Sequence, residues 1–374
     1  MLSFGRHAPS VLDGLAKAPL ALLPVLGFLG VLVLMDSFKL VPLRAVARSI
    51  AAGGLAALAC ARVNETLLAG LGLPVETVSR YAAPLIEEAM KALWVVYLVD
   101  RRRVGFLVDA AIHGFAVGAG FALVENVEYL AALPRAPLLL WVVRGLGTAV
   151  LHGATTSIMA VVSKGLADRR PRLRLAVFVP GWAAAAAIHS LYNHFVLPPL
   201  AATAALLVVL PLALLFVFEL SEAATREWLG TGFDTDVEVL RLIASPGGVN
   251  TRVGSYLRSL RTRFPGLVVA DMLCLLRLQL ELSLRAKGLL MAREAGVAMP
   301  VGRDVRAAFG ELRYLERSIG RTGLLALKPV LSRNSRDLWE LYVLEQASAA
   351  GGRPRRAGRG GPLPDRHDSV EPGA

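Results

Sequence analysis

The sequence predicts an all-α fold: a polytopic transmembrane helical bundle of about seven spans, followed by a C-terminal soluble helical domain. Three observations predict it. Of the 374 residues, 55% are hydrophobic and 19% charged, and mean hydropathy is +0.54, whereas a soluble domain carries roughly a quarter charged residues. Apolar residues are concentrated before residue 219 and charge after it. The apolar part falls into successive runs, each close to the ~20 residues that a helix needs to cross a bilayer.

The candidate spans are residues 19–35, 45–62, 83–99, 106–130, 138–162, 175–195 and 200–218. Arg6 and Lys17 ahead of the first would suit a secretory signal. The segment Met35-Asp36-Ser37-Phe38-Lys39 offers no small-residue cleavage site, however, so the run reads as a retained helix. Beyond residue 220 the apolar positions alternate with charge as amphipathic helices require, over 267–295, 305–319 and 335–346. The resulting division is a membrane domain at 1–219, a helical domain at 220–346, and a tail at 347–374. That tail is rich in Gly, Pro and Arg and poor in bulky apolar residues, so it is expected to be disordered.

Net charge is +12. Nucleic-acid binding would be one use for such an excess, but the arginines lie largely in short inter-helix loops and the C-terminal third, as membrane topology requires. No nucleic-acid partner is therefore expected. Arg101-Arg102-Arg103 follows the third span, and Lys164, Arg169, Arg170, Arg172 and Arg174 follow the fifth, whereas 131–137 carries only Arg135 and 196–199 no charge. The positive-inside rule then places the C-terminal domain in the cytoplasm and the N-terminus outside, with Arg6 and Lys17 mildly opposed. The expectation is a multi-pass protein of the plasma membrane. Cys60 and Cys274 fall in different domains and provide neither a disulfide framework nor a cysteine zinc motif.

Four of the apolar runs are interrupted by ionisable residues. A buried charge costs several kcal/mol unless paired, neutralised or bound to metal, so such residues within a bilayer are read first as functional. The third run holds Glu87-Glu88-Ala89-Met90-Lys91, with Glu87 and Lys91 four apart on one helix face. The fourth holds Phe121-Ala122-Leu123-Val124-Glu125-Asn126, the fifth Arg144 and His152, and the sixth His189-Ser190-Leu191-Tyr192-Asn193. With the orientation above, Glu87, Glu88, Glu125, His189 and Asn193 fall in the same outer part of the bilayer, and His152 lies nearer mid-span. These groups are expected to converge in one polar cavity. His113 and His194 are expected to be structural, Asn126 and Glu128 to be supporting or interfacial, and Arg144 to pair with Glu125 or Glu128.

The four segments, in order on four successive predicted helices, resemble the PrsW family of intramembrane proteases, relatives of the CAAX-prenyl endopeptidases and bacteriocin-processing membrane proteases. The resemblance covers residues 81–195 and rests on Glu-Glu-x-x-Lys, Phe-x-x-x-Glu-Asn, a histidine on the next helix, and His-x-x-x-Asn. It implies Glu87 and Glu88 as catalytic carboxylates, and Glu125, His152 and His189 as water-activating or metal-binding partners. Asn193 would be a polar partner donating to an oxyanion. The implied zinc ligands are drawn from Glu88, Glu125, His152 and His189; with no His-Glu-x-x-His present, a metal-free glutamate mechanism stays open. The implied substrate is a membrane-associated protein such as an anti-sigma factor. Two rival functions remain on the residues alone: an ion- or proton-coupled transporter using the same buried groups, and a catalytically silent membrane scaffold. No internal repeat of the kind common in transporters is visible.

Overall fold

The computed structural model describes residues 8–244, 252–330 and 335–351, and among these there are helices but no strand. The membrane part comprises α1 (Ala8–Met35), α2 (Leu43–Leu71), α3 (Ala83–Asp100), α4 (Leu107–Ala132), α5 (Ala149–Arg169), α6 (Val179–Asn193) and α7 (Pro199–Ala244). Among the described residues, six stretches are long and apolar enough to cross a membrane: Ala16–Met35, Leu43–Gly70, Leu107–Ala132, Leu138–Arg169, Leu175–Asn193 and Pro199–Arg241. The remaining expected span, α3, falls short of that apolarity because Glu87, Glu88 and Lys91 interrupt it. It nevertheless packs against α2, α4, α5 and α6 within the same bundle. An all-α polytopic bundle is thus what the chain forms.

Helices α4 and α5 make the most extensive contact and form the centre. Residues 108–122 of α4 are buried all round, as a helix enclosed by others must be. Gly114 and Gly118, four apart, make the approach possible: a Cβ at Gly118 would run into the His152 carbonyl, and one at Gly114 into the Thr156 backbone. Small residues at such spacing let membrane helices meet backbone to backbone, where packing rather than water drives association. The start of α4 has no side-chain cap of its own. Ser221 of α7 supplies one, accepting the Val108 N–H at 3.1 Å.

Two helices are entered through π-helical turns, Val78–Ala82 before α3 and Val143–Thr148 before α5. Each such turn holds an extra residue and so re-aims the face that follows.

The expected boundary at 219 is not a break in structure. Helix α7 runs unbroken across that position, from Pro199 to Ala244. Helices α8 (Arg252–Leu260), α9 (Gly266–Glu294), α10 (Arg303–Leu327) and α11 (Ser335–Gly351) follow. Their core joins Met272, Leu275 and Leu282 to Phe309, Leu312 and Leu344. Helix α10 is interrupted at Gly320, whose φ of 69° is in the left-handed region that favours glycine. Helix α11 continues past the expected tail boundary at 347, and residues 352–374 lie outside the described residues. The C-terminal helices share a core with the membrane domain: Trp339 of α11 is fully buried against Phe106 and Trp228, at centroid distances of 5.3 and 6.2 Å.

Next to Trp339, Glu340 accepts from Ser283 and pairs with Lys287 at 3.2 Å. Burial pushes its carboxyl up to about 7, against the pull of Lys287 and Ser283. The consequence for stability has a definite sign. Below pH 4.5, the ordinary value for this group, Glu340 is protonated in both the folded and unfolded chain. As pH rises to about 7 the unfolded chain releases the proton and the folded chain keeps it, so stability falls across that window. Glu340→Gln is expected to remove this component. Thermal unfolding of the full chain at pH 5 and pH 8 checks it: the wild type should lose more than the variant, and equal losses would refute the assignment.

Candidate active site

Helix α3 brings Glu87, Glu88 and Lys91 inward within little more than one turn, and all three are buried. Glu88 is held most tightly. Its Oε1 accepts from Lys91 Nζ at 2.6 Å, from His189 Nδ1 at 2.9 Å and from Thr155 Oγ1 at 3.1 Å. Sequence spacing put Lys91 beside Glu87, but a residue three positions back is as close on a helix as one four back, and Lys91 pairs with Glu88. The same ammonium reaches His152 Nδ1 at 3.0 Å and lies 4.7 Å from the Phe121 ring centroid.

Glu125, near the end of α4, is half-buried. Its Oε2 lies 3.1 Å from Arg144 Nη2 and 3.1 Å from His152 Nε2. Of the two partners considered for Arg144, the structure selects Glu125, while Glu128 is exposed. Arg144 also donates from Nε to Asn126 Oδ1 at 3.0 Å and stacks 3.5 Å from the Tyr129 ring centroid. Asn126 in turn donates to the Ala21 carbonyl of α1 at 2.7 Å, anchoring the arginine to the first helix.

These contacts fix the histidine tautomers. An ammonium can only donate, so His152 Nδ1 accepts from Lys91 and its Nε2–H points to Glu125. His189 donates from Nδ1 to Glu88, leaving the Nε2 lone pair directed towards Glu87 Oε2 at 4.0 Å. A carboxylate orienting a histidine in this way is the arrangement that readies the other nitrogen as a ligand or acceptor. The two rings meet edge to face with centroids 4.9 Å apart.

Charge is unevenly distributed in this cluster. Glu88 has Lys91 and Glu125 has Arg144, whereas the nearest positively chargeable atom to Glu87 in an ion pair is His189 Nε2. One oxygen of Glu87 and one nitrogen each of His152 and His189 lie within 4.8 Å of one another, all buried, a set able to hold a metal ion. Two imidazoles and a carboxylate suit zinc with a fourth position open. For His152 to offer Nε2, the proton it shares with Glu125 must first leave. The geometry thus groups Glu87 with the histidines, where the resemblance had grouped Glu88 and Glu125 with them.

The structure brings Glu87, Glu88, Glu125, His152 and His189 together, from four helices. Asn193 does not join them. Its amide donates to the Ser79 carbonyl at 2.9 Å, and Ser190 donates to the Arg80 carbonyl at 2.6 Å. Both side chains of α6 therefore cap the π turn that leads into Glu87 and Glu88. Thr155 is the member that sequence reasoning missed; its position three residues after His152 was the available signal. His113 lies apart, accepting at Nδ1 from Ser49 Oγ at 2.8 Å, while Ser49 accepts from Trp94 Nε1 at 3.0 Å. His194 donates to the Ser190 carbonyl at 2.7 Å at the end of α6.

Among known proteins, the sequence pattern described as PrsW family intramembrane metalloprotease matches residues 41–218. Neither the curated proteins nor the solved structures contain a match.

Proposed function

We propose, from the match of residues 41–218 to the PrsW family of intramembrane metalloproteases, that this chain is an endopeptidase of that kind whose working carboxylate is Glu87. The observation that carries the assignment is the pairing of charges: Lys91 and Arg144 neutralise Glu88 and Glu125, and Glu87 is left facing the two histidines. Peptide hydrolysis needs a base for water and an acid for the leaving amine. Glu87 takes the proton from water and returns it to the amine. Glu88 holds His189 in the tautomer whose Nε2 accepts from that water, Lys91 and Thr155 hold Glu88, and Arg144 holds Glu125 against His152. A zinc ion held by one oxygen of Glu87 and by His152 and His189, whose Nε2 would then serve the metal rather than the water, would lower the pKa of its water and polarise the scissile carbonyl, leaving the other Glu87 oxygen to act as the base.

The substrate proposed is a membrane-associated protein whose chain enters the bundle at the end where Glu87 and His189 lie. A membrane-bound anti-sigma factor in a signalling cascade is of that kind. The full chain, purified in detergent, tests both chemistry and metal. Wild-type protein is expected to carry close to one zinc per chain and His189→Ala far less, with product peptides from a single-span substrate identified by mass spectrometry. Proton- or ion-dependent flux through reconstituted vesicles, with no peptide product, would overturn the protease reading in favour of transport. Peptide product from a zinc-free enzyme would instead select the metal-free glutamate route.

The orientation proposed has the 101–103 arginine loop and the C-terminal domain in the cytoplasm, supported by the arginine asymmetry of alternate loops. An export-dependent reporter fused after Gly351 is expected to be inactive; activity there would invert the topology.

A further inference from the structure

At the other end of the bundle, about 24 Å along α4 from Glu125 at 1.5 Å per residue, lies a cavity of about 60 Å³ that the protease chemistry does not use. It opens between the start of α2, the end of α3 and α11 of the C-terminal domain. Among its lining residues are Arg48, Trp94, Tyr97, Arg103, Asp109 and Tyr342. We propose that this cavity is a binding site for a phosphate ester, gripped by Arg48 and Arg103.

The charge balance supports an anion. No ion pair joins either arginine to a carboxylate among the described residues. Arg103 instead stacks on Tyr97 and Tyr342, 6.0 and 5.0 Å from their centroids. The one acidic lining residue, Asp109, is fully buried; its Oδ2 accepts the Gly105 N–H at 2.9 Å, its Oδ1 has no hydrogen-bond partner among the described residues, and it pairs with neither arginine. Two guanidinium groups without carboxylates, one exposed and one half-buried, offer forked donors that match phosphate oxygens. The position supports it as well. Trp94 and Tyr97 lie in the last turns of α3, where amphipathic aromatic rings mark the headgroup level of a bilayer. Arg101 and Arg102, both exposed, add positive charge to the same rim. Basic pockets between membrane helices at this level receive lipid headgroups. Because Tyr342 belongs to the C-terminal domain, a ligand here fastens that domain to the membrane domain.

The phosphate can come from an anionic lipid or from a soluble ester, and the two are separable. The inference does not rest on the protease assignment, so activity is not its readout. The full chain, stripped of lipid in detergent, is heated with phosphatidylglycerol micelles, phosphatidylcholine micelles or glycerol 1-phosphate. Phosphatidylglycerol is expected to raise the unfolding midpoint by several degrees, phosphatidylcholine by much less, and Arg48→Gln/Arg103→Gln is expected to lose the difference. Arg62→Gln, an exposed arginine elsewhere on α2, should keep it. An equal rise with glycerol 1-phosphate alone would assign the site to a soluble ester. Native mass spectrometry of Arg48→Gln, a substitution at an exposed side chain, guards against misfolding of the double variant: one phosphatidylglycerol per chain should be retained by the wild type and lost by the variant. Equal response of wild type and variants, or equal response to both lipids, overturns the proposal.

Discussion

Glu87→Gln is expected to lower cleavage by roughly 10²–10⁴-fold, the usual contribution of a general base, while the chain stays folded in the membrane. Glutamine preserves the shape of the side chain but cannot take a proton from water. Stability should hold because neither Lys91 nor Arg144 is paired with Glu87, so neutralising it strands no buried cation. Glu88→Gln is the informative contrast. It would leave Lys91 buried without its carboxylate and release His189, so activity and stability should fall together. Product formation by mass spectrometry and the unfolding midpoint of each variant make the comparison. Cleavage by Glu87→Gln at the wild-type rate would end the assignment of Glu87 as the working carboxylate.

The second large effect is on folding. Lys91 and Glu88 expose 0% and 1% of their side chains and lie 2.6 Å apart. Such a pair adds little over a well-packed apolar pair, but removing one partner strands the other, at a cost of about 3–5 kcal/mol. Lys91→Met is therefore expected to destabilise the chain on that scale and to free His152 Nδ1 from its donor. Glu88→Gln/Lys91→Met should recover much of the stability and none of the activity. Denaturation in detergent at matched conditions measures it. A single variant as stable as the wild type, or a double variant no better than Lys91→Met, would mean that the pair is not the buried unit described.

Much of this was legible in the residues because a bilayer leaves few choices. Apolar runs long enough to span must be helices, and Glu87, Glu88, Glu125, His152 and His189 could hardly face lipid, so their convergence followed from their burial. The partners were harder to read. Lys91 could face either glutamate, since positions three and four apart are equally near on a helix, and only the packing of α5 and α6 selects Glu88. Asn193 lies one turn from His189 and looked like a member of the site. The π turn before α3 leaves carbonyls that need donors, however, and Asn193 serves one of them. Neither π turn has a sequence signal of its own. The end of the last span was equally hidden. Polarity rises after Phe218, but neither Gly nor Pro stands at that point to stop the helix, and α7 continues.

That continuation makes α7 a connecting rod. Its 46 residues extend roughly 70 Å at 1.5 Å each, and its one internal proline, Pro211, lies within the span rather than where the helix leaves it. About two thirds of the way along this rod, Trp228 is packed against Trp339 of the C-terminal helices. Near its start Thr203 lies so close to Gly147 that a Cβ there would strike it, and Gly147 belongs to the π turn that holds Arg144. One helix thus ties the packing of Trp339 to the turn whose arginine steadies Glu125, with about 37 Å of continuous helix between the two contacts.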